Sequence, residues 1–376
     1  MMVIAGHACA ASFHGARKNN QMRVLKFALV GCGRIAKRHS ELLGHGQIHD
    51  ANLVAVCDVV PDKAAKVAGL FSVPHFADMH DMMRSVDIDV VVVLTESGKH
   101  ADQVVALAPY GKHIVVEKPM ALTLDDADAM IHACDKAGVK LFVVKQNRFN
   151  VPVVKVRQAL EAGRFGKLVL GTVRVRWCRR QDYYDQDPWR GTWALDGGVL
   201  TNQASHHVDL LEWMMGEVDS VFAMSATALA NIEAEDTAVV TVRFKNGALG
   251  VIEATTAARP TDLEGSLSIL GEGGTVEVGG FAVNKMKVWK FGKPEPDDET
   301  VMDRYSVNPP NVYGFGHQAY YEHVVDCILN DSRHLVDGLE GRKSLELINA
   351  IYESIETGRE VHLRFRPKHC RLGIRK

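Results

Sequence analysis

Two adjacent histidines, an asparagine and a pair of glycines stand together in the segment GGVLTNQASHHVDLLEWMMG. Histidine titrates near neutral pH, so one of the two could take a proton from a substrate hydroxyl. If a helix begins at Asn202, then Asn202 and His206 are i,i+4 neighbours on one face, whereas His207 points about 100° away. Gly197 and Gly198 would let the backbone approach a bulky ligand. The segment predicts an acid–base site, with a core or capping histidine as the alternative.

A second pattern with chemical potential lies near the amino terminus, where the apolar run VLKFALV is followed by GCGRIA and a helix pattern. Gly31 allows a tight turn, Gly33 lets a pyrophosphate approach the backbone, and Ala36 lets the helix pack closely on the sheet. Arg34 and Ile35 complete the turn, and the N–H groups at the helix start face the phosphates. The turn therefore predicts dinucleotide binding, with a strand–helix turn without a ligand as the alternative.

Asp58 ends the next apolar strand pattern, NLVAVCD, 27 residues after Gly31. A carboxylate at the end of this strand, usually about 20 residues after the first glycine, would bond the ribose hydroxyls of the cofactor. The residues that follow, VVP, include no arginine to neutralise a 2′-phosphate, so NAD is favoured over NADP. The alternative is a turn residue at the end of a strand.

The elements that must position these groups alternate between strand and helix patterns from about 22 to 145, which predicts a Rossmann-type, doubly wound parallel sheet of the α/β class. Ligands bind such sheets at the carboxyl ends of the strands. Three polar clusters, at 95–100, 117–119 and 145–149, lie at such ends. From these clusters we expect cofactor contacts from Thr95, His100, Glu117, Lys118, Gln146 and Arg148.

After Phe149 the pattern changes to an amphipathic helix and then to alternating strands joined by short turns. Asn246-Gly247 between two of these strands is a strong hairpin signal. The sequence therefore predicts a dinucleotide domain at 22–145, joined directly to an α+β domain at 146–376. The second domain would contain a mostly antiparallel open sheet and would bind substrate and mediate oligomerisation.

Composition narrows the class of protein further. The 376 residues are 47% apolar and 24% charged, which suits two soluble globular domains. A net charge of −2 gives no general attraction for nucleic acid or an anionic membrane, and no run of about 18 apolar residues occurs. Seven cysteines without CxxC spacing indicate no metal site and are typical of the cytoplasm. Residues 1–21 are expected to be a disordered extension, with a misassigned start or an export signal as the alternatives.

These motifs resemble those of the glucose–fructose oxidoreductase / inositol dehydrogenase / MocA family. The likeness rests on GCGRIA, EKPMAL, QNRF and GGVLTNQASHHVDLL in this order, and extends from Met22 to about Leu363. Within the family, the segments YYDQDPWRGTWALDGGVLTNQASHHVDLLEWMMG, EATTAARPTDLEGSLSILGEGGTVEVGG and VYGFGHQAYYEHVVDCI look most similar to the WlbA-type UDP-N-acetyl-2-amino-2-deoxyglucuronate 3-dehydrogenases. The resemblance implies that NAD lies on the first domain, with its nicotinamide facing the second sheet.

The resemblance also implies that Lys118 and His206 act on the substrate hydroxyl. Oxidation of an alcohol needs a hydride acceptor, a base for the hydroxyl proton and stabilisation of the developing alkoxide. We expect His206 to be the principal base and Lys118 to polarise the oxygen and share the proton, because burial beside NAD⁺ would lower the lysine pKa. Many family members carry aspartate at the position of Asn202, whose amide cannot take a proton and would orient the hydroxyl. The alternative for Lys118 is a surface ion pair with Glu117.

The segment RVRWCRRQDYYDQDPWRGTW places five arginines among aromatic residues. Guanidinium groups suit phosphate and carboxylate, the charged groups of a nucleotide-sugar acid. Arg174 and Arg176 alternate along a strand and so share a face, and Trp189 could stack on uracil or sugar. Ion pairs and core contacts are the alternatives. The predicted substrate contacts are Arg174, Arg179, Trp189, Arg190, Asn202, His206 and Tyr321.

Three functions remain open. The first is oxidation of the 3-hydroxyl of a UDP-N-acetylhexosamine uronate, in nucleotide-sugar biosynthesis for surface polysaccharide. The second is an inositol or free-sugar dehydrogenase, which should not need the arginine-rich segment. The third is a non-catalytic NAD-binding sensor, which could lack Lys118 and His206. Family members commonly form tetramers through the open sheet, so a homotetramer is expected. The sequence does not distinguish release of NADH from its reoxidation in place by a 2-oxo acid.

Overall fold

The first part of the chain forms a six-stranded sheet in which every neighbouring pair of strands runs parallel. The computed structural model describes residues 23–306, 315–332 and 334–363, so the predicted extension at 1–21 lies outside the described residues. In chain order, the strands are β1 (Leu25–Val30), β2 (Ala51–Cys57), β3 (His75–Phe76), β4 (Val90–Val93), β5 (His113–Val116) and β6 (Leu141–Val143). They lie side by side in the order β3-β2-β1-β4-β5-β6.

Helices cover both faces of this sheet, which explains why its strands have unbroken apolar sequences. All four valines of β4, for example, are buried. The helices are α1 (Ala36–Gly44), α2 (Pro61–Phe71), α3 (Met79–Ser85), α4 (His100–Leu107) and α5 (Leu124–Ala137). Helices α1 and α2 pack on one face, and α3, α4 and α5 pack on the other. The predicted doubly wound parallel sheet is confirmed.

The second sheet has eight strands, and all its pairings are antiparallel except one. The strands are β7 (Leu168–Arg176), β8 (Val218–Ala226), β9 (Thr237–Phe244), β10 (Leu249–Thr255), β11 (Glu264–Gly271), β12 (Gly274–Gly279), β13 (Lys285–Phe291) and β14 (Val361–His362). Their order is β13-β12-β11-β7-β10-β9-β8-β14, with β7 and β10 parallel. The predicted hairpin at Asn246-Gly247 joins β9 to β10.

One face of the second sheet is covered by helices, and the other is open. The helices after the first domain are α6 (Val151–Glu161), α7 (Gln181–Tyr184), α8 (Ser205–Met215), α9 (Asp298–Arg304), α10 (Gly316–Leu329) and α11 (Gly338–Thr357). Apolar residues of α6, α8, α9 and α11 share the core beneath the sheet. Side chains such as Phe222, Met224 and Val239 are exposed on the open face. The predicted mostly antiparallel open sheet is therefore confirmed.

Helix α10 belongs to the core of the first sheet although it lies far along the chain. Tyr320, Tyr321 and Val324 are fully buried and cluster with residues of β1, α1 and α2. This packing adds a late helix to the range predicted for the dinucleotide domain. Among the described helices, α10 included, no span is both long enough and apolar enough to cross a membrane.

Buried charges fix α8 against the end of β6. The carboxylate of Asp209 accepts hydrogen bonds from Lys145 Nζ and from Nε and Nη2 of Arg148, the last two at 2.8 Å. Arg148 Nη1 also donates to Glu340 on α11 at 2.9 Å. His206 lies one turn before Asp209 on the same helix, so this cluster holds the candidate base at the edge of the first sheet.

Candidate active site

The glycine-rich turn after β1 has the shape that a dinucleotide needs. Gly31 has φ +99°, and a Cβ there would lie 2.9 Å from the carbonyl carbon of Leu94, so a larger residue does not fit. At Gly33 a Cβ would meet no atom of the described residues within 4 Å, which leaves the backbone accessible to a ligand. The turn leads directly into α1, whose first N–H groups suit a phosphate. These residues fit the pyrophosphate of a dinucleotide.

Asp58 supports the same turn from the end of β2. Its carboxylate accepts hydrogen bonds from the main-chain N–H of Cys32 and of Val60, both at 2.8 Å. A carboxylate has about four acceptor positions, so two remain for ribose hydroxyls. Val59 is 83% exposed directly beside it. Asp58 is therefore placed to shape the turn and to meet a ribose.

Cofactor choice follows from the charge of Asp58. A 2′-phosphate would meet this carboxylate, and like charges at contact repel each other. We expect NAD to bind at least about tenfold more tightly than NADP, a difference of about 1.4 kcal/mol. Calorimetric titration of the purified protein with both cofactors measures this ratio. Asp58→Asn keeps one acceptor but removes the charge, so it should reduce the difference in affinity between NAD and NADP. Tighter binding of NADP than of NAD by the unmodified protein would contradict the role of Asp58 in cofactor choice.

Glu117 is held in a buried hydrogen-bond network below the site. Its Oε1 lies 3.0 Å from Nε2 of His39, and its Oε2 accepts from the main-chain N–H of Lys118 at 2.9 Å. Burial alone would raise the pKa of Glu117, but the hydrogen bond and charge of His39 bring it down to about 2. His39, Glu117 and His317 each place one ligand atom within 4.8 Å of the others. Both ring nitrogens of His39 are engaged, which makes this group a hydrogen-bond network.

Tyr321 is part of this network and not of a substrate surface. Its hydroxyl lies 2.5 Å from Nδ1 of His39, and the residue is fully buried in α10. Its ring packs edge-on against Phe27 in β1. The prediction of a substrate contact for Tyr321 does not fit this position, because the hydroxyl points into the core beneath Glu117.

Lys118 reaches from the end of β5 to the turn before α8. Its Nζ donates to the main-chain oxygen of Asn202 at 2.7 Å, so the alternative of a surface ion pair with Glu117 is wrong. Burial lowers the pKa of Lys118 below 10.5, and Glu117 and Asp196 oppose the shift while Arg190 adds to it. Lys118 is therefore a cation with a weakened hold on its proton, located between the two domains.

His206 is on the first turn of α8 and faces the same region. Burial, followed by the positive charge of Lys118, lowers the pKa of His206 well below 6.5, so the ring is neutral at pH 7. Lys118 and His206 together line a cavity of about 20 Å³, which also touches Lys145, Ser205 and Ser344. This volume suits about one water molecule, so a sugar must approach the two side chains from outside this cavity.

The turn before α8 differs from the sequence prediction. The helix begins at Ser205 and not at Asn202, whose main-chain oxygen accepts bonds from Lys118 and from the Ser205 hydroxyl at 3.3 Å. A Cβ on Gly198 would lie 2.1 Å from Glu235 Oε2, and one on Gly197 would lie 2.7 Å from Thr201 Oγ1. The glycine pair therefore serves close packing within the protein, because protein atoms occupy the space that a ligand was expected to fill.

His207 and Asp196 complete the description of this segment. His207 is fully buried beside Trp177, which confirms that it points away from the site. Asp196 was not singled out by the sequence, although it stands directly before the glycine pair. It is 2% exposed, and its Oδ1 accepts from Nδ2 of Asn202 at 2.5 Å. A carboxylate is therefore bonded to one of the predicted catalytic residues.

The remaining predicted cofactor residues lie at the expected strand ends but face different partners. Thr95 donates to Gln103 at 2.6 Å. His100 is buried, with ring nitrogens 2.9 Å from the carbonyl of Pro119 and 3.1 Å from that of Thr95, so it ties two loops together. The guanidinium of Arg148 is engaged by Asp209, Glu340 and the carbonyl of Leu335. Gln146 is buried at the end of β6. These contacts indicate support for the site by His100 and Arg148 instead of direct contact with a cofactor.

A cluster of guanidinium groups surrounds the ring of Tyr183 at the junction of the domains. The carbon centres of Arg190, Arg179 and Arg34 lie 4.6, 5.5 and 6.0 Å from its ring centroid. Arg190 donates to the Tyr183 hydroxyl at 2.8 Å and also stacks on Trp189. Arg34 belongs to the glycine-rich turn, so this cluster brings the predicted cofactor loop and three predicted substrate residues together.

Arg174 lies elsewhere. Its neighbours Val173 and Val175 belong to the core beneath the second sheet, so Arg174 and Arg176 point to the open face. Arg174 Nε lies 3.6 Å from Glu264 and its Nη2 3.5 Å from Glu277. The prediction of a substrate contact for Arg174 does not fit this face of the sheet, which is opposite the one that α8 covers.

A second cavity, of about 420 Å³, lies along the segment 181–192 and has a mixed lining. Arg190 and Asn231 contribute polar groups, but Asp185, Asp187 and Glu233 contribute carboxylates. Arg190 is already paired with Asp187 at 3.0 Å. Carboxylates repel a diphosphate, so this cavity suits an uncharged part of a ligand better than its phosphates.

Comparison with known proteins adds relatives for both domains. The family model of an NAD-binding Rossmann fold matches residues 25–145, and the model of the C-terminal alpha/beta domain of the same oxidoreductase family matches 157–363. The WlbA dehydrogenase from Bordetella pertussis, solved with NADH and UDP-GlcNAcA, is 44% identical with a TM-score of 0.84 over 92% of this chain and 100% of that one.

Two further relatives are similar to this chain. The WlbA dehydrogenase from Chromobacterium violaceum, also solved with NADH and UDP-GlcNAcA, is 43% identical with a TM-score of 0.85 over 92% of this chain and 97% of that one. A myo-inositol 2-dehydrogenase from Thermotoga maritima is 34% identical over 61% of this chain and 68% of its own length. The glycine-rich turn, the paired Lys118 and His206 and these matches lead to one conclusion: the chain belongs to the glucose–fructose oxidoreductase / inositol dehydrogenase / MocA family of oxidoreductases and is an NAD-dependent dehydrogenase.

Proposed function

We propose that the protein oxidises the 3-hydroxyl of a UDP-N-acetylhexosamine uronate to the 3-keto sugar, with NAD⁺ as the oxidant. The observation that carries this proposal is the likeness to two WlbA dehydrogenases solved with UDP-GlcNAcA, at 43–44% identity over 92% of the chain. Substrate class is therefore inferred from relatives, and the residues of this chain are consistent with it.

The roles of the reacting groups follow from their positions and charges. Bound NAD⁺ supplies the hydride acceptor. His206, neutral at pH 7 because of its lowered pKa, takes the hydroxyl proton as the C–H electron pair leaves and the C=O bond forms. Lys118 donates a hydrogen bond to the same oxygen and stabilises the negative charge that develops there. The amide of Asn202, adjacent to Lys118 Nζ, orients the hydroxyl.

The charged parts of the proposed substrate have partners near the domain junction. Arg179 and Arg190 lie around Tyr183 together with Arg34. Arg179 and Arg190 already have carboxylate partners, Asp262 at 2.9 Å and Asp187 at 3.0 Å. Among the described residues, Arg34 has no such salt bridge, so its guanidinium can pair with a diphosphate or a carboxylate without displacing a partner. A neutral polyol would not use this charge, so Arg34 favours an anionic substrate over a free sugar.

The substrate prediction is tested by comparing kcat/KM for three compounds at 340 nm. UDP-N-acetylglucosaminuronate should be turned over fastest. UDP-N-acetylglucosamine, which lacks one charge-assisted hydrogen bond to the carboxylate, should lose about 1.5–3 kcal/mol, or roughly 10–150-fold in kcat/KM. Repeating the assay with 2-oxoglutarate shows whether NADH is reoxidised in place. If it is, each enzyme molecule would oxidise more than one molecule of sugar without added NAD⁺.

The inositol dehydrogenase function is the second candidate, because a myo-inositol 2-dehydrogenase is 34% identical to this chain. Myo-inositol is therefore the third compound in the panel. Faster turnover of myo-inositol than of either nucleotide sugar would overturn the proposal. Equal kcat/KM values for UDP-N-acetylglucosaminuronate and UDP-N-acetylglucosamine would show that the protein does not recognise the carboxylate, but would still support a nucleotide-sugar substrate.

We also propose that copies of the chain associate through the open face of the second sheet. Large apolar side chains are exposed there, including Met224 at 69%. The homotetramer expected from the family resemblance would cover this face. Light scattering of the purified protein measures its oligomeric state directly.

A further inference from the structure

Asp196 is a buried carboxylate that contacts the candidate catalytic residue Asn202 without lining the small cavity between Lys118 and His206. It is 2% exposed. Its Oδ2 accepts from the main-chain N–H of Gly191 at 2.8 Å, and its Oδ1 accepts from Asn202 Nδ2 at 2.5 Å. Both oxygens therefore have a donor, and one of these donors is the amide expected to meet the substrate.

The contact with Asp196 determines how the Asn202 amide is oriented. A carboxylate only accepts hydrogen bonds, so the amide nitrogen of Asn202 must face it. The Oδ1 of Asn202 is then turned away from Asp196 and is the acceptor that the side chain presents elsewhere. Since the main-chain oxygen of the same residue binds Lys118 Nζ at 2.7 Å, the amide and the lysine are fixed relative to each other.

Asp196 also contributes the negative charge that the Asn202 side chain lacks. Burial raises the pKa of Asp196 above 3.8, and the hydrogen bonds from Gly191 and Asn202 and the positive charges of Lys118, at the end of β5, and Arg190, in its own segment, oppose this shift. Glu235, before β9, and Tyr184 in α7 are the other titratable groups that sense it. Of the two carboxylates that act on Lys118, Glu117 is already bonded to His39.

We propose that Asp196 is a positioning residue: it fixes the orientation of the Asn202 amide beside the substrate and balances the charge of Lys118. The part that concerns the substrate rests on the proposed dehydrogenase function. The part that concerns Lys118 does not, because the charge balance exists in the protein without substrate. The two parts can therefore be tested separately.

The test is the variant Asp196→Asn, which has the same size but no charge and only one acceptor oxygen. That oxygen cannot serve both Gly191 and Asn202, so the amide loses its fixed orientation, and kcat/KM should fall roughly 10–100-fold. Loss of the nearby negative charge should lower the pKa of Lys118 by about 1. At pH values below the Lys118 pKa of the variant, the unprotonated fraction of the amine is then about tenfold larger than in the unmodified protein. Lys118 should therefore react with acetic anhydride about tenfold faster, as measured by peptide mass spectrometry over a pH series without substrate.

Two further variants separate positioning from stability. Asp196→Asn combined with Asn202→Asp exchanges the two groups, restores a negative charge near Lys118 and should return its acetylation rate toward the original value. Asp182→Asn, an exposed residue of α7, is the control and should leave both readouts unchanged. An Asp196→Asn protein with unchanged Lys118 acetylation and an unchanged pH profile of kcat would overturn the inference, even if it were less stable. If the unmodified protein is inactive on UDP-N-acetylglucosaminuronate but the acetylation shift is observed, the proposed substrate fails and the charge balance stands.

Discussion

His206→Ala is expected to lower kcat by roughly 10²–10⁴-fold, the usual loss for a positioned acid or base. The ring is neutral at pH 7 because burial and Lys118 lower its pKa well below 6.5. Binding of NAD should be retained, because His206 lies on α8 and not on the glycine-rich turn. Steady-state kinetics measure the loss, and calorimetry with NAD measures the retention. His49→Ala, at an exposed histidine of the first domain, is the matched control and should have the kcat of the unmodified protein.

Lys118→Ala should show a comparable loss, because alanine can neither polarise the hydroxyl nor hold the Asn202 carbonyl. The pH dependence of the unmodified enzyme gives an independent check. His206 must be neutral, so the acidic limb should lie below pH 6.5. Lys118 must be protonated to donate, so the alkaline limb should lie below pH 10.5. A variant at either position with near-original kcat would show that its residue is not part of the chemistry.

Asp209→Ala is expected to destabilise the protein by about 3–5 kcal/mol. The substitution leaves Lys145 and Arg148 as buried cations without the carboxylate that they share. Denaturant unfolding followed by circular dichroism measures the loss. Asp128→Ala is the matched control, since Asp128 pairs with Arg342 where half of its side chain is exposed, and such a pair contributes about 0–1 kcal/mol. Equal effects of the two substitutions would show that burial does not set the strength of this cluster.

The sign of the pH effect at Asp209 follows from its neighbours. Burial alone would raise its pKa, but Arg148 and Lys145 hold the pKa well below the ordinary value of 3.8. Its contribution to stability is therefore fully present above about pH 4 and is lost as the pH falls through the lowered folded-state pKa. Asp209→Ala should remove this acid-dependent part of the unfolding free energy.

The local patterns of the sequence were sufficient for the fold, because the glycine-rich turn, the apolar strands and the hairpin at Asn246-Gly247 depend on neighbouring residues. The family resemblance, and not a local pattern, led to the expectation that Lys118 and His206 act together, since Lys118 follows β5 of the first sheet and His206 lies on α8 of the second domain. The start of α8 was missed by three residues, because the turn at Asn202 is fixed by Lys118, 84 positions away.

Partners distant in sequence explain the other differences. Nothing beside Tyr321 shows that its hydroxyl meets His39, 282 positions earlier. The role of Gly198 depends on Glu235, which belongs to a different strand connection. The alternation of side chains along a strand correctly predicted that Arg174 and Arg176 share a face. It could not show that this face is the open one, because that depends on which face the helices cover. Asp196 was overlooked because an acid before two glycines is an ordinary turn pattern until its contact with Asn202 is known.

The return of α10 to the core of the first sheet has a consequence for biosynthesis. The last strand of that sheet ends at Val143, whereas α10 begins at Gly316. A ribosome that adds about 5–20 residues per second needs roughly 9–35 s to cover this interval. During that time the nascent first domain exposes the apolar surface of β1, α1 and α2 that Tyr320 and Tyr321 later cover. A fragment that stops at residue 145 would keep this surface exposed permanently, so we expect it to require chaperones or to aggregate.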